Sequence, residues 1–215
     1  MSTSTDTALV LTDPQNDFLS ESGVAWELVG NNVQENGTIE NIESLLQSAK
    51  SAATPVFVSP HYFYPQDHRW QFGGTLEQKM HEIGMFDRVD PLSLEGFPGS
   101  GADWLDQYKS YLGDGETVIA SPHKVYGPQN NDLVLQLRKR RINRVLLAGM
   151  SANLCVESHL RHLLEQGFEV AVVADATAAA QHPELGDGYA AALTNFRYLA
   201  TDVLDTDAAT KELTR

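Results

Sequence analysis

Short apolar runs alternate along the chain with segments in which apolar residues recur every three or four positions. The runs lack the polar alternation of half-exposed strands, so they predict strands that are buried on both faces. They fall at residues 8–12, 55–59, 117–120, 144–148, 168–174 and 201–204. Helical spacing is clearest in residues 39–53, and further helices are predicted over 132–140, up to 165, and over 189–199. The alternation predicts one α/β domain, residues 1–215, with a parallel sheet between layers of helices.

Residues 60–116 depart from this rhythm. The segment has little clean periodicity and contains many glycines, three histidines and two tryptophans, Trp70 and Trp104. A loop region of that length in a compact domain is usually functional or has irregular structure of its own. Two interpretations stay open: the segment shapes a binding pocket, or it is a surface excursion that contacts another subunit.

Charge and cysteine content narrow the class of partner. The formal net charge is −14 and the chain has one cysteine. An acidic surface repels nucleic acid and anionic membranes, and one cysteine cannot form an internal disulfide. No run of about 18 apolar residues is present, and the first residues lack the pattern of a secretory signal. We therefore expect a cytoplasmic protein that acts on a small molecule, with neither nucleic acid nor membrane as partner.

Three residues with reactive side chains follow predicted strands. Asp13 follows the first strand, Lys124 lies just past the third, and Cys155 follows the fourth by a short turn and begins a helix. In open parallel sheets, ligands bind beyond the carboxyl ends of the strands, so these side chains are expected to converge. Each alone has a structural explanation, as a turn cap, a solvated lysine or a core thiol. Their shared placement favours a site.

The chemistry of the three residues is that of an activated thiol. A free thiol has a pKa of about 8.5, and its thiolate is the nucleophile. A helix N-terminus and the Lys124 ammonium are expected to lower the pKa of Cys155, while the Asp13 carboxylate accepts its proton. Backbone N–H groups of the turn 151–155 are placed to hold the oxyanion that forms when the thiolate attacks a carbonyl.

Two segments resemble those of the isochorismatase-like cysteine hydrolases. TDPQNDFL at 12–19 resembles the Asp-x-Gln-Asn-Asp-Phe opening of that family, and AGMSANLCVESHL at 148–160 resembles its cysteine-bearing turn and helix. Lys124 completes the family's Asp–Lys–Cys set. The resemblance implies a single-domain, doubly wound α/β fold with a six-stranded parallel sheet and helices on both faces. It also implies hydrolysis of a carbon–nitrogen bond through a thioester, and assembly into a homo-oligomer.

The same resemblance implies details of the site. The peptide bond Met150–Ser151 is expected to be cis, and the N–H groups of Ser151 and Cys155 are expected to form the oxyanion hole. Phe18 is expected to line the substrate pocket. His159, four residues after Cys155, is expected to have a packing or supporting role rather than to form a Cys–His pair.

His61, Tyr62 and Trp70 are candidates for binding the substrate, by hydrogen bonding and aromatic walls. Nicotinamidases of the family hold a metal with an Asp-x-His pair at this point, but Ser59-Pro60-His61 contains no carboxylate. His61 and His68 could bind zinc, yet no third ligand is evident. We expect no metal and no cofactor.

The function predicted from these residues is hydrolysis of a small amide, ureide or carbamoyl compound by an Asp13–Lys124–Cys155 triad. One alternative is cleavage of a vinyl ether, as in isochorismatases, where the aspartate protonates the substrate. Another is a non-catalytic thiol sensor or binding protein built on the same scaffold.

Overall fold

The structure, a computed structural model, describes residues 6–214. Its strands are β1 (Thr7–Thr12), β2 (Val56–Ser59), β3 (Val118–Ile119), β4 (Arg144–Met150), β5 (Glu169–Ala178), β6 (Gln181–His182), β7 (Gly186–Asp187) and β8 (Asp202–Leu204). Its α-helices are α1 (Asn16–Leu19), α2 (Trp26–Asn36), α3 (Thr38–Ser51), α4 (Thr75–Glu82), α5 (Lys109–Leu112), α6 (Leu133–Lys139), α7 (Glu157–Glu165), α8 (Gly188–Leu199) and α9 (Thr206–Leu213). Within this range, no helix is both long enough and apolar enough to cross a lipid bilayer.

Six strands form one parallel sheet in the order β3-β2-β1-β4-β5-β8. The chain builds outward from β1 to β3 and then returns to β4, beside β1, before it builds outward in the other direction. The order therefore reverses between β1 and β4, which is where doubly wound sheets bind ligands. The predicted α/β class and six-stranded parallel sheet are confirmed. The antiparallel pair of β6 and β7 lies outside this sheet.

The sheet is buried on both faces because its strands are apolar at nearly every position. In β1, Leu9 and Leu11 join a core that includes residues of α2, α3 and α9. Ala8 and Val10 of the same strand join a second core with residues of α6, α7 and α8. Fully burying a side chain of leucine size stabilises a fold by roughly 1.5–3 kcal/mol, so the two cores fix the sheet firmly.

Within residues 60–116, the part from 61 to 102 is tied to the segment that follows β1, past the carboxyl end of that strand. The Gln15 amide donates to the carbonyls of His61 and Ala102, each at 2.9 Å. The buried Asp17 carboxylate accepts the N–H of Phe86 at 2.6 Å. These contacts make the segment part of the wall above the sheet edge, which favours the pocket-shaping interpretation.

Gly149 lets the ends of β1 and β4 come together. Its φ is +109°, and an added Cβ would lie 2.0 Å from the Thr12 carbonyl oxygen. No side chain fits that gap, so only glycine permits this approach. The residues that follow Thr12 and Gly149 are consequently neighbours.

Arg144 joins elements at the opposite end of the sheet. Its guanidinium donates to the carboxylates of Asp202, at 2.8 Å, and Glu212, and lies 3.5 Å from a carboxylate oxygen of Glu169. The start of β4 is thereby joined to β5, β8 and α9.

Candidate active site

Four buried side chains meet just past the carboxyl ends of four adjacent strands. They are Asp13 after β1, His61 after β2, His123 after β3 and Cys155 after β4. Each contributes a polar atom, and these atoms all lie within 4.8 Å of one another. The cluster brings together Asp13 and Cys155, as expected, and adds two histidines.

Asp13 is held by its backbone and by His123. It leaves β1 with a φ of +45°, and its N–H donates to the Ser59 carbonyl at 3.2 Å. Its Oδ1 lies 2.8 Å from His123 Nε2. Its Oδ2 is buried and has no hydrogen-bond partner among the described residues. One carboxylate oxygen is therefore fixed, and the other is free to take a proton.

Cys155 lies in an irregular turn between β4 and α7. The Met150–Ser151 peptide bond is cis, as the resemblance implies, and residues Ala152–Val156 form a single π-helical turn. The Val156 N–H donates to the Ser151 carbonyl at 3.1 Å. The N–H groups of Ser151 and Cys155 approach the sulfur, where they favour its charged form. Both expected oxyanion-hole donors thus face the reactive atom.

The expectation that the pKa of Cys155 is lowered is wrong. Burial raises the pKa of the thiol well above its usual range, and the neighbouring Asp13 carboxylate raises it further. The two backbone N–H groups only partly offset these effects. The thiol is therefore protonated at neutral pH and needs a base to become a nucleophile.

Lys124 does not join the cluster. Its ammonium donates to the Tyr62 carbonyl at 2.6 Å and to the Asp67 carboxylate, and it lies 4.3 Å from the centre of the Tyr64 ring. His123, one residue earlier, occupies the place beside Asp13. Successive side chains of an extended segment point to opposite sides, so only one of the two can face the site.

The pairing of the chain after β3 explains why the side chain beside Asp13 is that of His123 and not that of Lys124. His123 pairs in parallel with His61, and its N–H donates to the Pro60 carbonyl at 2.9 Å. That pairing sets which side chain faces Asp13. The sequence shows only that a histidine and a lysine follow the strand. It does not specify which of the two side chains faces the site.

His61 is enclosed beside the cluster as a neutral imidazole. Its ring packs against Phe63, Phe86 and His123, with centroid distances of 4.5, 4.9 and 4.7 Å. Burial lowers its pKa well below the usual range, and His123 lowers it further. Neither ring nitrogen has a hydrogen-bond partner among the described residues. At least one polar atom is thus available to a bound molecule.

His159 contacts the backbone of the turn that contains Cys155. Its Nδ1 lies 2.7 Å from the Cys155 carbonyl oxygen, and its Nε2 lies 2.8 Å from Ser59 Oγ. Burial lowers the pKa of this histidine well below its usual range, so the neutral ring donates from Nδ1 and accepts at Nε2. It links β2 to the nucleophile's backbone, which agrees with the expected supporting role.

A cavity of about 90 Å³ lies against Cys155. Phe18 is in its wall, where the resemblance put it, together with Ser151. Tyr62 is instead buried among Phe97 and Trp104. Trp70 lines a separate cavity of about 390 Å³ with His68 and His81. The structure therefore does not bring Tyr62 and Trp70 to the cavity beside the thiol.

The donor set of the cluster could hold a divalent ion. A carboxylate, two imidazoles and a thiolate are zinc ligands in proteins. His68 is not among them, because its Nε2 lies 2.7 Å from Asp87 Oδ1 on the surface. The pair of histidines considered from sequence, His61 and His68, is thus replaced by a different set centred on Asp13.

Comparisons of the sequence with known proteins identify its family. The isochorismatase domain profile matches residues 7–208. A ureidoacrylate amidohydrolase RutB of Pseudomonas savastanoi pv. phaseolicola is 30% identical over 179 residues, which are 80% of this chain and 70% of the relative.

Two solved structures share the fold. A cysteine hydrolase from Pseudomonas syringae pv. phaseolicola superposes with a TM-score of 0.77 at 21% identity, covering 97% of this chain and 92% of the other. An N-carbamoylsarcosine amidase from Thermoplasma acidophilum superposes with a TM-score of 0.67 at 18% identity, covering 94% and 96%.

Proposed function

Because the chain belongs to the isochorismatase family of hydrolases, we propose that it hydrolyses a carbon–nitrogen bond of a small amide, ureide or carbamoyl compound through a thioester at Cys155. The observation that carries this proposal is the buried Asp13 carboxylate beside the only cysteine of the chain. One carboxylate oxygen is held by His123, and the other has no hydrogen-bond partner within residues 6–214. A structural thiol needs no such base, whereas a protonated nucleophile does.

In the first half of the reaction, Asp13 Oδ2 takes the proton of the thiol as the sulfur attacks the carbonyl carbon. The N–H groups of Ser151 and Cys155 stabilise the oxyanion. The carbon–nitrogen bond breaks as Asp13 returns that proton to the departing nitrogen. The products are a thioester and an amine or ammonia.

In the second half, water attacks the thioester. Asp13 takes a proton from the water, the carbon–sulfur bond breaks, and the proton passes to the sulfur. The acid is released and the thiol is restored. No step requires a metal ion, because the sulfur is itself the nucleophile.

Two adjacent residues, His123 and Lys124, are candidates for the group that assists Asp13. The sequence favours Lys124, but its ammonium is engaged with Tyr62 and Asp67. We propose that His123 orients Asp13 and stabilises its charge during proton transfer, and that Lys124 holds the loop of residues 62–67.

The buried position of Cys155 and its raised pKa disfavour the sensor alternative, since sensor cysteines are exposed and of low pKa.

The test is ammonia release from a panel of primary amides, ureides and carbamoyl acids. Cys155→Ala should lose all activity with its fold retained. Asp13→Asn should lose at least ~100-fold in kcat, the low end of what a positioned general base contributes. An alanine variant that keeps most of its activity would end the proposal.

His123→Asn and Lys124→Ala form a matched pair that separates the two neighbours. The first should reduce kcat at least ~10-fold, because Asp13 loses its hydrogen-bond partner, while the second should change kcat much less. The opposite order would restore Lys124 to the catalytic set. Circular dichroism of both variants establishes that the fold is intact.

A further inference from the structure

The cavity beside Cys155 has a wall made almost entirely of carbon atoms. On one side lie Phe18 of α1 and Leu28 and Val29 of α2. On the other side lie Leu76 and Met80 of α4 and Ile83, which follows that helix. Two separate parts of the chain thus contribute apolar side chains to the same space.

The lining of the cavity includes few polar side chains, namely Ser151, Cys155, Lys79 and Tyr126 with its neutral hydroxyl. Ser151 and Cys155 form the floor, where the carbonyl and the scissile bond must lie. Lys79 is the one charged side chain in the lining. Its ammonium lies 3.4 Å from the Glu82 carboxylate on a side chain that is 62% exposed, so it belongs to the rim. Apart from Lys79, the lining offers no charged side chain to pair with a charged group deep in the cavity.

We propose that the substrate is an amide whose acyl group is a short, uncharged aliphatic chain, and that this chain occupies the cavity. This rests on the proposed hydrolysis at Cys155. The volume of about 90 Å³ is below the roughly 150 Å³ of a cavity that holds benzene, which favours an aliphatic chain over an aromatic ring. A carboxylate at the end of that chain would lose its hydration without gaining a buried cation as partner.

The first experiment is a homologous series of primary amides from acetamide to pentanamide, with succinamic acid as the charged counterpart. The value of kcat/KM should rise about fourfold for each added methylene, the effect of burying that group. Succinamic acid should be hydrolysed at least ~100-fold more slowly than butanamide. A flat series, or a preference for the acid, would overturn the proposal.

Wall variants test where the acyl chain lies. Leu28 and Leu76 are partly exposed, at 46% and 37%, so a charge at either position is compatible with folding. Leu28→Glu and Leu76→Glu should abolish most of the gain from chain length, so that kcat/KM for pentanamide falls far more than kcat/KM for acetamide. Leu135→Glu is the matched control, because this leucine is 55% exposed on α6 and does not line the cavity. Equal effects at all three positions would refute the location.

Binding to Cys155→Ala separates this proposal from the proposed reaction. Calorimetry with pentanamide and succinamic acid reports on the cavity without turnover. Tighter binding of pentanamide, together with no hydrolysis by the wild type, would support the cavity's preference and refute the reaction. Hydrolysis of succinamic acid by the wild type, with no preference of the variant for pentanamide, would support the reaction and refute the cavity's preference for an aliphatic chain.

Discussion

Cys155 shows how much the surroundings of a residue decide its chemistry. Its thiol is enclosed by apolar groups and lies next to a carboxylate, and both raise its pKa. In the proposed reaction the proton leaves for Asp13 only when a carbonyl is in position. In that reaction thiolate formation is coupled to attack, and we expect the resting thiol to resist oxidation and alkylation.

This predicts an unusual alkylation profile. Below its raised pKa the thiol is almost wholly protonated, so at pH 7 it should react with iodoacetamide more slowly than a free thiol. The rate should still rise steeply near pH 10, where a thiol of pKa about 8.5 is almost wholly ionised and its rate has levelled off. The measurement is the alkylation rate from pH 6 to 10, with the urea-unfolded protein as reference.

Asp13→Asn is the control for that experiment. Removing the carboxylate removes one of the causes that raise the pKa, so alkylation at pH 7 should become faster even though hydrolysis is lost. A variant that reacts more slowly than the wild type would show that Asp13 favours the thiolate, contrary to the pKa direction given above.

The cluster of Asp13, His61, His123 and Cys155 predicts a distinctive response to metal ions. Exhaustive chelation should leave hydrolysis unchanged, because the thiol is the nucleophile. Added Zn²⁺ should inhibit, because it would bind the thiolate and the two imidazoles. His61→Gln should weaken that inhibition. If chelation abolishes turnover and zinc, manganese or iron restores it, the hydrolysis is metal-dependent after all.

Individual site residues could be predicted from the sequence where they lie within a recognisable motif. Asp13 and Cys155 each follow a strand within a recognisable segment, and both reach the cluster. His123 was missed because it differs from Lys124 only in phase, which depends on pairing with a strand more than sixty residues away. A signal for it existed only in three dimensions.

Among the elements, the contact of β1 with β4 determines the spacing of the site. Gly149 follows Ala148 on β4 and faces the Thr12 carbonyl, one residue before Asp13. Gly149→Ala would force the two strand ends apart. It should destabilise the fold by about 1–3 kcal/mol, typical of overpacking, and should lower kcat through displacement of Asp13 from Cys155.

The measurements are urea unfolding and kcat/KM for the same variant. Gly115→Ala is the matched control, since that glycine also has a positive φ, of +81°, but no atom lies within 4 Å of an added Cβ. The free energy of unfolding of Gly115→Ala should decrease only because of backbone strain at that residue, and its kcat should be unchanged. If Gly149→Ala retains full activity, the spacing tolerates more movement than the packing indicates.

The elements with a clear apolar pattern could be predicted from the sequence, and those without one could not. The central strands were found because their residues are apolar almost without interruption, whereas the edge strand β8, DVL, is short and mostly exposed. Helix α2 was missed because its sequence, WELVGNNVQEN, contains glycine and three asparagines and has few apolar positions. Helix α4 was missed for a related reason: TLEQKMHE buries only Glu77 and Met80, so tertiary contacts rather than periodicity define it.

The whole molecule should lose stability as pH falls below neutrality. His61 and His159 are buried and have pKa values well below 6.5 in the folded state. Near and below pH 6.5 the unfolded chain binds protons that the folded protein does not, so the free energy of unfolding decreases. Above that pH neither histidine contributes to the dependence.

Urea unfolding at pH 7.5 and 5.5 measures the effect. His61→Gln should reduce the loss of stability between the two values by about 1 kcal/mol, the contribution of one histidine over that interval. His162→Gln, at a half-buried position on α7, serves as the control. An unchanged loss in His61→Gln would mean that this imidazole is protonated in the folded state.

The ion pairs of Arg144 and the candidate active site lie at opposite ends of β4, so the two ends can be engineered separately. Its ion pairs lie at the amino end of the strand, while the thiol lies just past the carboxyl end. Residues around Arg144 can be exchanged to adapt the protein to heat or salt without reshaping the pocket. Libraries that aim at new substrates belong at the other end, at partly exposed positions of α2 and α4 that line the cavity beside the thiol, such as Leu28 and Leu76.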